Sequence, residues 1–256
     1  MPVDRTREHT APVAAARRRR LRADQARQLA DLLRRQVLGQ GFPDGVLPHE
    51  DTLGAEYGVS RNTVRQALDL LRAECLVERV PGLGTVVVGL KYPHGLDRLM
   101  GLAETLHPHG RVTNEVRAIN PVRAPAAVAG RLGVPEHDEV LYVERLRHLD
   151  GLPLSLDLTY IPMDLGKGLL TADLENNDIF RLLEELSGQP LGSAEISLEA
   201  VSADLHSAAV LEAPRGAALL MLERLTHLSD GRPVDLEFVR FRGDRITMRG
   251  VLHRGA

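Results

Sequence analysis

With 256 residues, 43% of them hydrophobic, the chain is long enough to bury the cores of two modest domains. Its one Cys, Cys75, excludes an intrachain disulfide framework and a thiolate metal cluster and fits a reducing cytoplasm, and no apolar run reaches the ~18 residues of a membrane span. The formal net charge of −3 speaks against nucleic-acid binding only as a sum; the placement of the charges decides more.

Residues 1–20 are polar, Ala-rich and Arg-rich, and read as a disordered basic tail. The run Arg17-Arg18-Arg19-Arg20 suits sequence-independent phosphate contacts, and equally a solvated terminal charge run. From Asp24 to Leu38 the spacing of Ala26, Leu29, Leu33 and Val37 predicts an amphipathic helix. Gly41 to Gly45 is a loop, and a second helix starts at Pro48, with Leu53 and Tyr57 on its inner side. Gly58 stands where a tight turn needs a positive φ, which glycine adopts without steric cost. Ser60 suits an N-cap, and the helix after it carries Val64, Ala67, Leu68 and Leu71 as one buried stripe. Arg61, Asn62, Thr63, Arg65 and Gln66 lie off that stripe, near the helix start, where a recognition helix meets base edges and phosphates. Leu76 to Arg79 and Thr85 to Val88 read as two strands around a wing, Pro81-Gly82-Leu83-Gly84. Residues 21–89 thus predict a winged helix-turn-helix that holds double-stranded DNA. Acids and bases nearly cancel within it, so phosphate affinity must come from turning Arg61, Arg65 and Arg79 toward DNA.

Tyr92-Pro93-His94-Gly95 reads as part of a linker over 90–97. Beyond it the spacing predicts a short helix from Leu96 to Leu106, an extended stretch from Val112 to Val122, and a helix from Pro125 to Leu132 stopped by Gly133. Glu139 to Leu149 and Pro153 to Ile161 form a hairpin about Asp150-Gly151. A helix from Ile179 to Leu186, a strand from Leu191 to Val201, a helix from Leu205 to Leu211 and a strand from Ala217 to Leu228 follow. Strands from Pro233 to Phe241 and from Arg245 to His253 complete the sheet. Repeated hairpins with few helices predict an α+β second domain over 98–256, built on an antiparallel sheet. Strand parity puts Arg145 and Arg147 on one face, Asp157 and Thr159 on one face of the partner strand, and Asp235 and Phe241 on one face of a later strand. Where these faces coincide, guanidiniums and carboxylates converge on a site for a polar small molecule. Where they do not, the pattern is an exposed face laced with surface ion pairs.

Residues 47–88 carry LP-x-E-x-x-L, GVSR-x-TVR-x-AL-x-x-L, L-V-E-R and G-x-GT-x-V in order, and this stretch resembles the GntR family of bacterial transcription regulators. Residues 96–254, with VERLRHLDGLPLSLDLTYIP, GRPVD and FRGDR, are similar to the UTRA effector domain of its HutC subfamily, related in fold to chorismate lyase. The resemblance implies a six-stranded antiparallel sheet, effector binding at one of its faces, and a homodimer joined through these domains. It implies operator contacts from Glu50, Arg61, Asn62, Thr63, Arg65, Pro81 and Gly82, and an effector pocket of Arg145, Arg147, Asp157, Thr159, Asp235 and Phe241. No cofactor and no catalytic residue is expected. Several positions depart from the family. Asp51 and Leu83 replace residues that are often basic, Gly54 replaces Ala, and Cys75 takes a frequent Gly position. In the second domain Met100-Gly101-Leu102-Ala103 and Asn177-Asp178-Ile179 lack the hydroxyls that hold phosphate in sugar-phosphate-sensing relatives, and Phe241 replaces a Tyr. A simple hexosamine phosphate is therefore not the expected effector.

The favoured reading is a dimeric, ligand-responsive repressor, because two recognition helices must meet two half-sites of a palindrome. The alternatives are an enzyme that uses the lyase-like domain, with the winged domain as a targeting module, and a constitutive DNA-binding protein with a vestigial pocket. His107-Pro108-His109, with His94 nearby, invites a metal reading, but two His flanking a loop Pro are more often solvent-exposed, and no metal is expected.

Overall fold

The computed structural model describes residues 10–89 and 91–254, with side chains from residue 20 onward. The expectation for residues 1–9 lies outside the described residues. The chain divides into two compact units, 1–90 and 91–256.

In the first unit α1 spans Thr10–Leu38, α2 Glu50–Tyr57 and α3 Arg61–Ala73, followed by β1 Val77–Val80 and β2 Gly84–Val87. The expected disordered tail is thus helical from Thr10. The reason is composition: Val13 to Arg20 holds no helix breaker, and Pro12 falls in the first turn, where a missing N–H costs nothing. Leu29, Leu33 and Val37 of α1 pack on Val64, Leu68 and Leu71 of α3, and Leu53 and Leu76 close the core. Gly58 ends α2 at φ 64°, and the Ser60 hydroxyl accepts the Thr63 backbone N–H at 3.2 Å, so the tight turn between the two helices is built as its residues dictate. The start of α2 falls at Glu50 rather than Pro48. A Cβ at Gly54 would lie 3.1 Å from the Val59 carbonyl oxygen, so this glycine lets the turn close tightly. Cys75 adopts φ 56°, the left-handed backbone that accounts for a glycine preference there. The wing pairs antiparallel, Val77 opposite Val87 through Val80 opposite Gly84, and Val46 adds a bridge to Val86 on its outer edge.

The second unit runs β3 Tyr92–Gly95, α4 Leu102–Leu106, a 3-10 turn His107–His109, β4 Val112–Arg123, α5 Ala126–Leu132, β5 Glu139–Leu149 and β6 Leu152–Pro162. It continues with α6 Met163–Leu169, α7 Ile179–Ser187, β7 Leu191–Ser202, α8 Leu205–Val210, β8 Ala218–Leu228, β9 Pro233–Arg242 and β10 Ile246–Arg249. Six strands form one antiparallel sheet in the order β4-β5-β6-β9-β8-β7. The last strand does not complete this sheet. β9 is already paired on both sides, by β6 and β8, so β10 turns away and pairs in parallel with β3. That pairing makes a strand of residues expected to be a linker. The helix α6 escaped the sequence pattern because Gly166 and Gly168 weaken a helix. A Cβ at Gly166 would sit 2.7 Å from the Leu141 Cβ, and one at Gly168 would overlap Leu186, so both glycines let α6 lie close on β5 and α7. One face of the sheet is covered by α6 and α7, through Leu165, Leu169, Ile179 and Leu183, and by α4 with β10, through Leu102, Leu106 and Ile246. The helices α5 and α8 cover the other face.

Candidate functional site

The α3 start presents Arg61, Asn62 and Arg65 to solvent. The Nε of Arg61 and the Nε of Arg65 donate to the same Glu50 Oε2, at 3.0 and 2.8 Å. Burial opposes the charge on Glu50, but hydrogen bonds from Arg65 and Arg61 outweigh it and hold its pKa below the usual value. Glu50 thus bridges the two guanidiniums. Asp51 stands 3.6 Å from Arg61 and draws it further back. Thr63 requires a correction. It is 1% exposed and its hydroxyl meets Ser60 Oγ at 2.8 Å, because the helix start folds over its own cap. It anchors the helix and does not face solvent with the arginines.

The wing tip exposes Pro81, Gly82 and Leu83, with Gly82 at φ 81° and Gly84 at φ 104°. Between wing and α2 lies a groove of about 190 Å³ that Glu50, Arg61, Arg79 and Thr85 line. Leu83 gives this surface no charge. Replacing Leu83 by Arg is expected to raise affinity for all DNA sequences and to steepen the salt dependence by about one phosphate contact. A binding titration over a salt series checks this, and an unchanged slope contradicts a wing near phosphate.

In the second unit the strand faces coincide. Arg145 stands opposite Asp157, and Arg147 opposite Ser155. Ser155 stands opposite Phe241 and Thr159 opposite Glu237, while β8 sets Arg224 opposite Glu237 and Thr226 opposite Asp235. Directly opposed residues share a face, so these groups form one cluster, and it is buried: Arg145, Asp157, Thr159 and Asp235 are each 1% exposed. An exposed face with surface ion pairs is excluded. Sequence parity found six members, Arg145, Arg147, Asp157, Thr159, Asp235 and Phe241. It missed Arg224 and Glu237, whose two-residue offsets from Thr226 and Asp235 carried the same signal. It also missed Asp178, the N-cap of α7.

The charges pair inside the cluster. Arg147 donates from Nε to Asp157 and lies 3.7 Å from Asp178, Ser155 donates to Asp157 at 2.7 Å, and Arg224 pairs with Glu237 and stacks over Phe180 at 4.4 Å. Burial opposes the charge of Arg147, but Asp157 and Asp178 outweigh it and raise its pKa. Arg145 has no hydrogen-bond partner on any guanidinium nitrogen among the described residues. Burial, then the neighbouring Arg147, pushes it down to about 10, so it remains a cation at neutral pH. Burial, reinforced by Glu237, pushes Asp235 well above the usual carboxylate range, and neither of its oxygens is hydrogen-bonded. The cluster itself encloses about 10 Å³, room for one water, but Arg224 and His94 also line an adjoining cavity of about 230 Å³ bounded by Leu96, Asp97, Gly192 and Ile196.

His94 covers the cluster from β3, 5% exposed. Burial, then Arg224 and Arg147, lowers its pKa to about 4. The unfolded chain binds this proton more readily than the folded one, so stability is lost as pH falls from about 6.5 toward 4. The loss is on the order of 3 kcal/mol, and His94→Gln is expected to flatten that part of the stability profile. Urea titrations of both proteins across this pH range check it; parallel profiles contradict it. His107 and His109, by contrast, lie exposed, and among the described residues no three His, Cys, Asp or Glu side chains group as a metal site.

Two family models match the chain: "Bacterial regulatory proteins, gntR family" over residues 25–87, and the UTRA domain over residues 109–247. The transcriptional repressor NagR of Bacillus subtilis is 30% identical over 223 residues, 86% of this chain and 91% of that protein. The mannosyl-D-glycerate transport/metabolism system repressor MngR of Escherichia coli is 28% identical over 80% of this chain and 86% of its own length. The crystal structure of PhnF from Mycobacterium smegmatis superposes with a TM-score of 0.65 at 26% identity, covering 89% of this chain and all of that one. Both named repressors are regulators, and the reading as an enzyme falls with them. Among the described residues no helix is long and apolar enough to cross a membrane. A winged helix-turn-helix with two exposed arginines at its recognition helix and a sheet domain of this topology thus meet in one chain, which belongs to the GntR family as a DNA-binding, ligand-responsive transcription regulator with a UTRA effector domain.

Proposed function

We propose that the chain is a cytoplasmic homodimeric repressor, released from a palindromic operator when a polar metabolite binds the buried charged face of its second unit. The observation that carries this reading is the convergence of Arg145, Arg147, Arg224, Asp157, Asp178, Asp235 and Glu237 on one covered face beside an open cavity. A structural core has no use for an arginine with three unpartnered nitrogens, because burying such groups is costly. Arg61 and Arg65 read or anchor the operator, and Pro81 and Gly82 bring the wing backbone to the minor groove. The direction of regulation follows from the relatives named as repressors. The mechanism is linkage: an effector that prefers the form with weak DNA affinity must lower operator affinity by its own preference. The test is capture of genomic DNA fragments by the purified protein, then titration of the preformed complex with metabolites suggested by the flanking genes. Release by one of them supports the reading. Operator binding that no metabolite alters supports a constitutive DNA-binding protein instead.

A further inference from the structure

The charges on the covered face are already balanced, and this limits what can bind there. Three guanidiniums, Arg145, Arg147 and Arg224, face three carboxylates, Asp157, Asp178 and Glu237, while burial favours the neutral form of the fourth acid, Asp235. Arg147 is shared by Asp157 and Asp178, and Arg224 is held by Glu237. Asp178 is placed by the fold. Its side chain caps α7 by accepting the Phe180 N–H at 3.1 Å. A Cβ at Gly101 would overlap its carboxylate, so the glycine before α4 leaves the room that Asp178 fills. Its side chain is 17% exposed, against 4% for Arg147 behind it, so an anion approaching Arg147 meets Asp178 first. The unsatisfied groups point to a different guest. Among the described residues, groups of both kinds remain without hydrogen-bond partners: the donors Arg145 Nε, Nη1 and Nη2, Arg147 Nη1 and Arg224 Nε, the Asp235 carboxyl group, and the Thr159 and Thr226 hydroxyls, which donate and accept. Donors and acceptors side by side call for ligand groups that do both, as hydroxyls do.

Resting on the effector-binding reading above, we infer that Asp178 is the resident anion of this face, and that the effector presents to it a head group rich in hydroxyls, which donate and accept, and free of negative charge, a polyol or amino-polyol. Three carboxylates, Asp157, Asp178 and Glu237, offset the three guanidiniums, so an anionic head group meets a face without net positive charge.

The experiment compares the wild-type protein with Asp178→Ser and Asp178→Asn, using inorganic phosphate as the probe and calorimetry as the readout. Ser and Asn both keep the α7 cap, so the fold is retained, and either variant serves if the other is poorly soluble. Wild-type protein is expected to bind phosphate at least about tenfold more weakly than the variants. Equal binding by wild type and variants overturns the inference, since Asp178 then guards nothing. Binding by none of them also overturns it, since removing a resident anion must expose an anion site. A parallel titration of operator complexes separates this inference from the effector reading. Phosphate that binds a variant and releases its DNA supports both. Phosphate that binds a variant without releasing DNA leaves the charge inference standing and removes the effector role from this face.

Discussion

Replacing Arg147 by Met is expected to destabilise the second unit by about 3–5 kcal/mol, the usual consequence of removing one partner from a buried ion pair. Arg147 is 4% exposed in its side chain and serves two acids, donating to Asp157 and lying 3.7 Å from Asp178. Met keeps the unbranched apolar stem but leaves Asp157 hydrogen-bonded only to the Ser155 hydroxyl and Asp178 only to its α7 cap. Adding Asp157→Asn to the Arg147→Met protein is expected to recover part of the loss, because it removes an orphaned charge. A double-mutant cycle by urea unfolding measures the coupling. Single losses below about 1 kcal/mol would place the pair among solvent-screened ones. The variant is also expected to lose effector response. Operator binding is expected to survive under conditions where the second unit, and with it the dimer, stays folded, because the winged unit has its own core around Leu33, Val64 and Leu71.

The second large effect lies on α3. Arg65→Ala is expected to weaken operator binding by about 1–3 kcal/mol if the side chain reads a base, and Arg61→Ala by a similar amount. Both guanidiniums are exposed and both are tethered to Glu50 Oε2. Glu50→Gln keeps the side-chain shape and removes the charge that aligns them. Its expected signature differs: random-DNA affinity rises because a negative charge is gone, while discrimination between operator and random DNA falls because the arginines are no longer held. Affinities for both DNAs, measured at one fixed salt concentration, separate these cases. Unchanged operator affinity in both arginine variants contradicts the assignment.

The fold was legible where periodicity and punctuation agree. The stripe of Val64, Ala67, Leu68 and Leu71, the turn at Gly58 and the cap at Ser60 are local signals, and each stands where local physics puts it. The β5–β6 hairpin was legible from its alternation and from Asp150-Gly151, whose φ values of 50° and 77° only such residues adopt readily. What the sequence hid was non-local. The escape of β10 to β3 follows from both edges of β9 being occupied, which no window around residue 246 reveals. The glycines of α6 lower its helical signal because they are chosen for contact with Leu141 and Leu186, residues far away in the chain. The charged face was half legible. Parity grouped Arg145 with Arg147, but only the register across four strands brings Arg224 and Glu237 beside them. Thr63 misled because its position beside Arg61 and Arg65 outweighed its i, i+4 relation to Ala67 in the buried stripe. Asp178 was read as a missing hydroxyl, whereas its burial beside Arg147 makes it an acid built into the cluster.

In the proposed function, a ligand on the charged face of the second unit sets the DNA affinity of the first. The most direct measurement is the operator dissociation constant with and without saturating effector, for the wild-type protein and for Arg147→Met, paired with the effector dissociation constant with and without operator. Effector is expected to weaken operator binding by the same factor as operator weakens effector binding, and this factor is expected to collapse to one in the Arg147→Met protein while its effector-free operator affinity is kept. An Arg147→Met protein that still releases DNA at wild-type effector concentration would contradict this.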